Sequence, residues 1–259
     1  MIAAWARTTS GAGVGCMIGS VADKAVWRVP AILEELESFY GNQEPCWPTD
    51  PYEFLVWWHC GYPASDAACR KGWESLNRAA GIEPRQLLAA GAARLANALT
   101  PGGMVPELRA MRLLEIAARV QQEFAGDLRA GLSGPLPAVR KALQKFPNIA
   151  GPGADRILLF GGLAPVPAVP SNCPHVLVRI RQGRERENYG VTYREAQQAI
   201  ARETPETFDA RTRAYLLLKR HGQELCKRSN PKCGQCPVNA RCAYFAGQHR
   251  GRPAPAFLD

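Results

Sequence analysis

Four cysteines near the end of the chain have a spacing that favours a shared metal centre. Cys226, Cys233, Cys236 and Cys242 follow the pattern C-x6-C-x2-C-x5-C. Four thiolates held so close together repel one another unless a cation or a cluster offsets their charge. A structural zinc site usually has two short cysteine pairs or adds histidine, whereas this loop has one close pair and two wide gaps. The spacing therefore favours a [4Fe-4S] cluster, with zinc or no metal as the alternatives.

A second segment, residues 143–156, has the chemistry to bind phosphate through its backbone. It reads LQKFPNIAGPGADR and resembles a helix-hairpin-helix. A tight turn between two helices exposes N–H groups, and the positive end of the next helix adds to them. Such a hairpin holds a phosphate without reading base sequence. The predicted DNA-binding residues are Lys145, Asn148, Ile149, Ala150, Gly151 and Gly153. The alternative is a plain structural turn.

The turn departs at two positions from the Pro-Gly-hydrophobic-Gly core that such hairpins usually have. Asn148 stands at the first glycine position, and asparagine tolerates a left-handed backbone. Ala150 stands at the second, where its Cβ resists a positive φ. We therefore expect Gly151 and Gly153 to allow the turn to shift by a residue.

Helices must position both segments, because nearly every readable stretch carries helix start and stop signals. The predicted helices cover 30–40, 51 onward, 65–80, 84–90, 91–99, 106–124, 136–146, 154–160, 192–202 and 209–222. Asp50 is the predicted N-cap of the second helix, Thr192 and Glu195 form a predicted capping box, and Asp209 is a predicted cap. No alternating strand pattern is long enough to build a sheet, so the predicted fold class is all-α.

The composition favours an intracellular protein that binds a polyanion. The 259 residues carry a net charge of +9, and most of the positive charge is arginine, which grips phosphate through its planar fork. No apolar run is long enough to span a bilayer, and residues 1–26 lack the pattern of a secretory signal. The nine cysteines are an odd number, which argues against a disulfide framework.

Two motifs together resemble endonuclease III and its DNA glycosylase relatives. The stretch from His221 to Tyr244 looks like the cluster loop of that family, and the hairpin lies upstream at the expected distance. The resemblance covers about residues 28–245. It implies two helical lobes with a DNA cleft between them, a helix-hairpin-helix in the cleft and a C-terminal iron–sulfur cluster loop that supports DNA contacts.

The resemblance also implies a division of the chain. We expect an N-terminal extension at 1–26, a split cluster lobe formed by 27–40 and 136–249, a helical lobe at 41–135 and a tail at 250–259. The hairpin, 143–160, belongs to the cluster lobe and lines the cleft. The implied partner is double-stranded DNA that is damaged or mispaired, and the protein is expected to act as a monomer.

Members of this family act on a base flipped out of the duplex, and here their catalytic pattern is broken. Bifunctional members use a lysine in the hairpin as nucleophile, and an aspartate serves all members. The lysine position holds Pro152 and the aspartate position holds Pro170. Pro63 stands where the family often has a glutamine that fills the gap left by the base. The protein binds without cleaving, or its carboxylate is relocated, or the alignment through 163–175 is shifted.

Weak candidates for a relocated catalytic group are Asp155, His175 and Lys145. Each has a structural alternative: helix-start charge for Asp155, a buried core position for His175 and a phosphate contact for Lys145. Asp66 is first-turn helix charge with a small chance of catalysis. The functions left open are a base-excision glycosylase with an altered active site, a non-catalytic DNA lesion- or structure-binding iron–sulfur protein, and an electron-transfer protein without a DNA role. AP lyase activity is the less expected, because Pro152 cannot form an imine.

Overall fold

The computed structural model describes residues 27–249, and these residues form helices without a strand. This confirms the all-α fold class. The predicted extension at 1–26 and tail at 250–259 lie outside the described residues. The α-helices are α1 (Val29–Tyr40), α2 (Pro51–His59), α3 (Asp66–Ala80), α4 (Pro84–Leu99), α5 (Pro106–Glu123), α6 (Leu128–Gly131), α7 (Leu136–Leu143), α8 (Gly151–Phe160), α9 (His175–Gln182), α10 (Tyr189–Glu203), α11 (Phe208–Glu224) and α12 (Ala243–His249). None of them is long and apolar enough to cross a bilayer.

Local capping chemistry explains where the helices of the N-terminal half begin and end. The carboxylate of Asp50 accepts hydrogen bonds from the N–H groups of Tyr52, at 2.9 Å, and Glu53, at 3.1 Å, and so starts α2. Ser65 caps α3 in the same way through Ala68 N–H at 3.3 Å. Gly91 has a φ of 71° inside α4, which confirms the predicted division at that residue, since a positive φ interrupts a helix.

Two predicted caps in the C-terminal half were wrong. Helix α10 begins at Tyr189, because the Asn188 side chain accepts from Val191 N–H at 3.2 Å, and Thr192 therefore lies inside the helix. Helix α11 is capped by Thr207 rather than Asp209 and runs on to Glu224. Both true caps have the extended backbone that an N-cap needs, and the sequence offered several polar residues within one turn of each other. Helices α6, α9 and α12 were not predicted.

Buried apolar side chains form two hydrophobic cores. The first is built mostly from residues 47–168, and the second from residues 27–36, 169–200 and the region of the cysteine loop. Helix α11 contributes to both, with Tyr215 in the first core and Leu217 in the second. Core membership thus changes between Ala168 and Val169, whereas the lobe boundary at residue 136 stays a prediction. Near this change, residues of the hairpin and of the 170–172 segment line the same cavity.

Candidate active-site cleft and cluster loop

The hairpin turn has the predicted left-handed residue and is not shifted. Asn148 has a φ of 57°, as its side-chain type allows. The expected strain at Ala150 was wrong, because this residue is the extended N-cap of α8 with a φ of −88°. Helix α8 consequently starts at Gly151 rather than at Ala154. The first-turn N–H groups of α8, which have no intrahelical acceptor, lie directly after the turn.

His59 fastens the hairpin to α2. Its Nδ1 lies 2.7 Å from the Leu55 carbonyl oxygen, and its Nε2 lies 3.0 Å from the Pro147 carbonyl oxygen. Burial lowers the pKa of His59 to about 4, so the ring is neutral near pH 7 and donates to one of the two carbonyls at a time. The turn is therefore held in place by a side chain 88 residues upstream.

A cleft of about 520 Å³ opens between the hairpin and the 170–172 segment. The residues around it are Trp58, Tyr62, Pro63, Asn148, Ala150, Pro152, Gly153, Ser171, Asn172 and Tyr189. The Tyr62 ring stacks on Trp58 with ring centroids 4.0 Å apart, and the Tyr189 hydroxyl donates to the Ser171 carbonyl at 3.0 Å. The walls thus combine flat aromatic rings with backbone and amide groups.

The cysteine loop surrounds a second, separate cavity. Cys226, Cys233, Cys236 and Cys242 all line it, together with the buried Arg179. Burial raises the pKa of the Cys226 thiol to about 12, and the Arg179 guanidinium opposes that shift. Arg179 also donates to the carbonyls of Lys227, at 2.9 Å, and Arg228, at 3.1 Å, and so fixes the start of the loop. Four thiols around one cavity with a buried cation beside them fit an anionic metal–sulfur group.

Residues 226–242 match the family model described as the iron-sulfur binding domain of endonuclease III. The chain is endonuclease III-like. Endonuclease III of Treponema pallidum is 25% identical over 61% of this chain and 68% of its own length. Thymine-DNA glycosylase of Aeropyrum pernix is 22% identical over 62% of this chain and 69% of its own length.

Solved structures share the fold. A trapped covalent intermediate of endonuclease III with DNA superposes with a TM-score of 0.69 at 16% identity, over 86% of this chain and 99% of that one. A thermostable thymine-DNA glycosylase superposes with a TM-score of 0.67 at 17% identity, over 85% of this chain and 97% of that one. Identities this low establish the architecture, and the chemistry has to be argued from the side chains of this chain.

The prolines that break the endonuclease III-like pattern lie at the cleft. Pro152 and Pro63 line it directly, and Pro170 lines a smaller cavity behind it. The structure therefore brings the two segments that the sequence aligned with the catalytic positions to the same opening. None of the three proline side chains can donate a proton, accept one or act as a nucleophile there.

The three candidates for a relocated catalytic group do not line this cleft. Asp155 is 4% exposed and pairs with Arg140 at 2.6 Å, and it accepts from Gln197 at 2.9 Å. Its burial raises its pKa, and Arg140 opposes the shift. His175 is buried at the start of α9, with Nε2 2.8 Å from the Cys226 carbonyl oxygen. Lys145 is exposed, 3.8 Å from Glu123. Asp155 lies beyond the first turn of α8, so it is not the helix-start charge that the sequence suggested. A catalytic role for any of the three stays a prediction.

Two other ionisable groups lie next to the cleft: Asp66, which the sequence analysis treated mainly as helix charge, and Lys219, which no motif indicated. Asp66 and Lys219 form an ion pair with Oδ2 and Nζ 2.5 Å apart, and both line the small cavity with Asn172 and Arg156. Lys219 is 153 positions from Asp66 in the chain, so no sequence spacing relates them. The sequence feature that could have indicated this pair was Asp66 at the start of α3. An acidic residue there is common because it stabilises the helix.

Proposed function

We propose that this protein binds DNA in base-excision repair, as a DNA glycosylase of the endonuclease III type whose altered active site lacks the usual lysine and aspartate. The observation that carries the proposal is the 520 Å³ cleft between the hairpin and residues 170–172, in an endonuclease III-like fold. Its volume falls within the usual range of small-molecule pockets, so it suits one base extruded from a duplex.

Phosphate binding at the hairpin supports the DNA-binding part of the proposal. The turn at Asn148 leads into the N-terminus of α8, where first-turn N–H groups and the helix dipole favour an anion. A Cβ built on Gly151 or Gly153 would meet nothing closer than 3.5 Å, so protein packing does not explain glycine at these positions. Close approach of a DNA backbone would explain it. The net charge of +9 favours the same partner.

Aromatic and amide groups support the base-binding part. Tyr62 and Tyr189 line the cleft, and flat rings accept any base by stacking. Asn172 and Asn148 offer donors and acceptors that can pair with a base edge. The preferred lesion depends on how these few groups meet the base edge.

We propose a [4Fe-4S] cluster on Cys226, Cys233, Cys236 and Cys242. The four thiols line one cavity, and the guanidinium of Arg179 beside them offsets negative charge. Two residues of the loop, Val238 and the proposed ligand Cys242, are buried in the second hydrophobic core. A bound cluster would therefore connect the other three cysteines to that core. Its contribution in this proposal is to folding and to the placement of nearby basic side chains.

The alternative function is a non-catalytic protein that binds a DNA lesion or an altered DNA structure. The observation that favours it is specific. Pro152 lines the cleft and Pro170 lines the small cavity beside it, at the two positions that the resemblance assigns to a lysine and an aspartate. In both cases we propose a monomer that acts inside the cell on DNA, with a helical lobe at 41–135 and a split cluster lobe at 27–40 and 136–249.

A single-turnover assay on protein with its full iron complement tests the two functions. The substrates are duplexes that each contain one damaged, mispaired or abasic site, with products resolved before and after alkali. We expect base release from at least one duplex and no strand cleavage without alkali. Tight binding with no released base from any duplex would establish the non-catalytic alternative.

Binding itself is tested by titrating labelled duplex at several salt concentrations. We expect affinity to fall steeply with salt, because neutralised phosphates release counterions. Affinity that barely changes between low and high salt at constant pH would contradict the phosphate contacts of the hairpin.

A further inference from the structure

A small polar cavity of about 20 Å³ lies behind the cleft and shares three of its lining residues. The shared residues are Trp58, Tyr62 and Asn172. The volume is too small for a base and has room for a water molecule, provided that polar partners surround it. Asp66, Lys219 and Asn172 provide those partners.

Asp66 is held so that one carboxylate oxygen stays available. Lys219 contacts Oδ2, and among residues 27–249 no hydrogen-bond donor reaches Oδ1. The Asp66 side chain is 26% exposed and that of Lys219 is 10% exposed. Asp66 is also the first residue of α3, where the positive end of the helix stabilises its negative charge. The carboxylate is therefore held through Oδ2 and open at Oδ1.

Arg156 brings a second buried positive charge to the lining of the cavity. This arginine is 4% exposed, and its Nε and Nη2 have no hydrogen-bond partner among the described residues. Aromatic rings surround it, the nearest being Trp47 with its centroid 3.9 Å from the guanidinium carbon. Cation–π contacts with these rings offset part of the cost of burying the charge.

We propose that Asp66 is the catalytic carboxylate of the cleft and that it activates a water molecule bound in the small cavity. The inference rests on the proposed glycosylase function. The water oxygen bonds to C1′ of the deoxyribose, and the bond from C1′ to the base nitrogen breaks with its electron pair going to the base. Oδ1 of Asp66 takes the proton from the water. The departing base takes up a proton from solvent, so atoms and charge balance.

Lys219 acts in this scheme as a positioning residue and not as a nucleophile. Its amine is engaged with Oδ2 of Asp66, and an ammonium has no lone pair with which to attack a sugar. It holds the carboxylate while leaving Oδ1 open. With Arg156 it also makes the cavity net positive, which suits the negative charge that develops on the departing base.

The test compares Asp66→Asn with Asp209→Asn in the single-turnover assay. Asp209 is a matched control, because it too lies in the first turn of a helix but does not line either cavity. We expect Asp66→Asn to release base at least one hundredfold more slowly while binding the lesion duplex as wild type does. We expect the control to keep the wild-type rate.

Three further variants separate positioning from folding. Lys219→Arg keeps the positive charge and should retain most of the rate of base release. Lys219→Met removes the charge and should lose most of that rate, with duplex affinity unchanged. The double variant Asp66→Asn with Lys219→Met removes both charges of the ion pair together, so neither is left without its partner. If it melts like wild type and remains inactive, loss of fold does not explain the loss of rate.

The outcomes distinguish this inference from the function on which it rests. Wild-type activity that survives in Asp66→Asn would overturn the role of Asp66 and leave the glycosylase proposal intact. Trapping of wild-type protein on DNA by borohydride, lost in Lys219→Met, would also overturn it, because Lys219 would then be the nucleophile. No base release by wild type on any duplex would refute both proposals together.

Discussion

The cysteine loop and the cleft are two sites built in opposite ways. The loop takes its four thiols from one stretch, residues 226–242, with two short turns of 3-10 helix between them. The cleft and its small cavity take residues from positions 58–69, 148–156, 170–172, 189 and 215–219. A site in one stretch can be recognised from spacing, whereas a site assembled across two cores depends on the fold.

The two sites also differ in what each residue must supply. The loop needs side-chain thiols, so its residue types are fixed by the group that it binds. The hairpin wall of the cleft needs backbone N–H groups, so Asn148 and Ala150 replace glycines while the turn is kept. The proposed mechanism needs one ionisable group beside the cleft, and Asp66 presents it from the small cavity. Residue types in the sequence therefore predict the cysteine site best and the position of the proposed catalytic carboxylate least.

The largest expected effect lies in the loop. We expect Cys236→Ser to lose most of its iron and to lower the free energy of unfolding by roughly 4 kcal/mol or more, as loss of a metal site can do. Cys236 packs against the second core, so the loss should reach beyond the loop. Iron and sulfide content, visible absorbance and thermal unfolding measure it. Cys46→Ser, at an exposed thiol, is the control. Stoichiometric zinc in wild type would exclude the cluster.

The fold was largely predictable because its signals are local. Pro51 after Asp50, the glycines at 41 and 81 and the interruption at Gly91 each fix a boundary by backbone chemistry. The caps at Asn188 and Thr207 were missed because neighbouring polar residues compete for the same role. The Asp66–Lys219 pair was not predictable, since only the packing of α11 across both cores brings the two side chains together.

The next effect concerns the bond that holds the hairpin wall. Unfolded His59 takes up a proton near its ordinary pKa of 6.5, whereas burial keeps the folded ring neutral down to about 4. The contribution of neutral His59 to the free energy of unfolding is therefore lost as pH falls from about 6.5 towards 4. We expect it to contribute about 2 kcal/mol of destabilisation between pH 7 and pH 5.

Urea unfolding of wild type and His59→Gln at both pH values measures that contribution. Glutamine keeps one donor for the Pro147 carbonyl but does not titrate. The variant should therefore lose about 2 kcal/mol less than wild type over the same interval. Equal losses in the two proteins would mean that another group dominates the pH dependence.

A glycine on the hairpin should separate stability from binding. Gly153 lies in the first turn of α8 with space for a Cβ, so Gly153→Ala should raise the free energy of unfolding by about 0.5–1 kcal/mol. The added methyl group stands where the phosphate approaches, so duplex affinity should fall by roughly tenfold, or about 1.4 kcal/mol. Gly247→Ala, on α12 where a Cβ would meet nothing within 4 Å, is the control for the helix effect alone. Unchanged affinity in Gly153→Ala would place the phosphate elsewhere.

The smallest effect is expected at the outer edge of the hairpin. The Lys145 side chain is 56% exposed and lies 3.8 Å from Glu123, which makes their ion pair worth little for stability. If Lys145 contacts one phosphate, Lys145→Ala should lower duplex affinity a few fold and reduce the slope of log affinity against log salt by about one. Lys71→Ala, at an exposed lysine on α3, should leave the slope unchanged. The slope counts neutralised phosphates. An unaltered slope in Lys145→Ala would therefore show that Lys145 contacts no phosphate and that the hairpin binds DNA through its backbone groups alone.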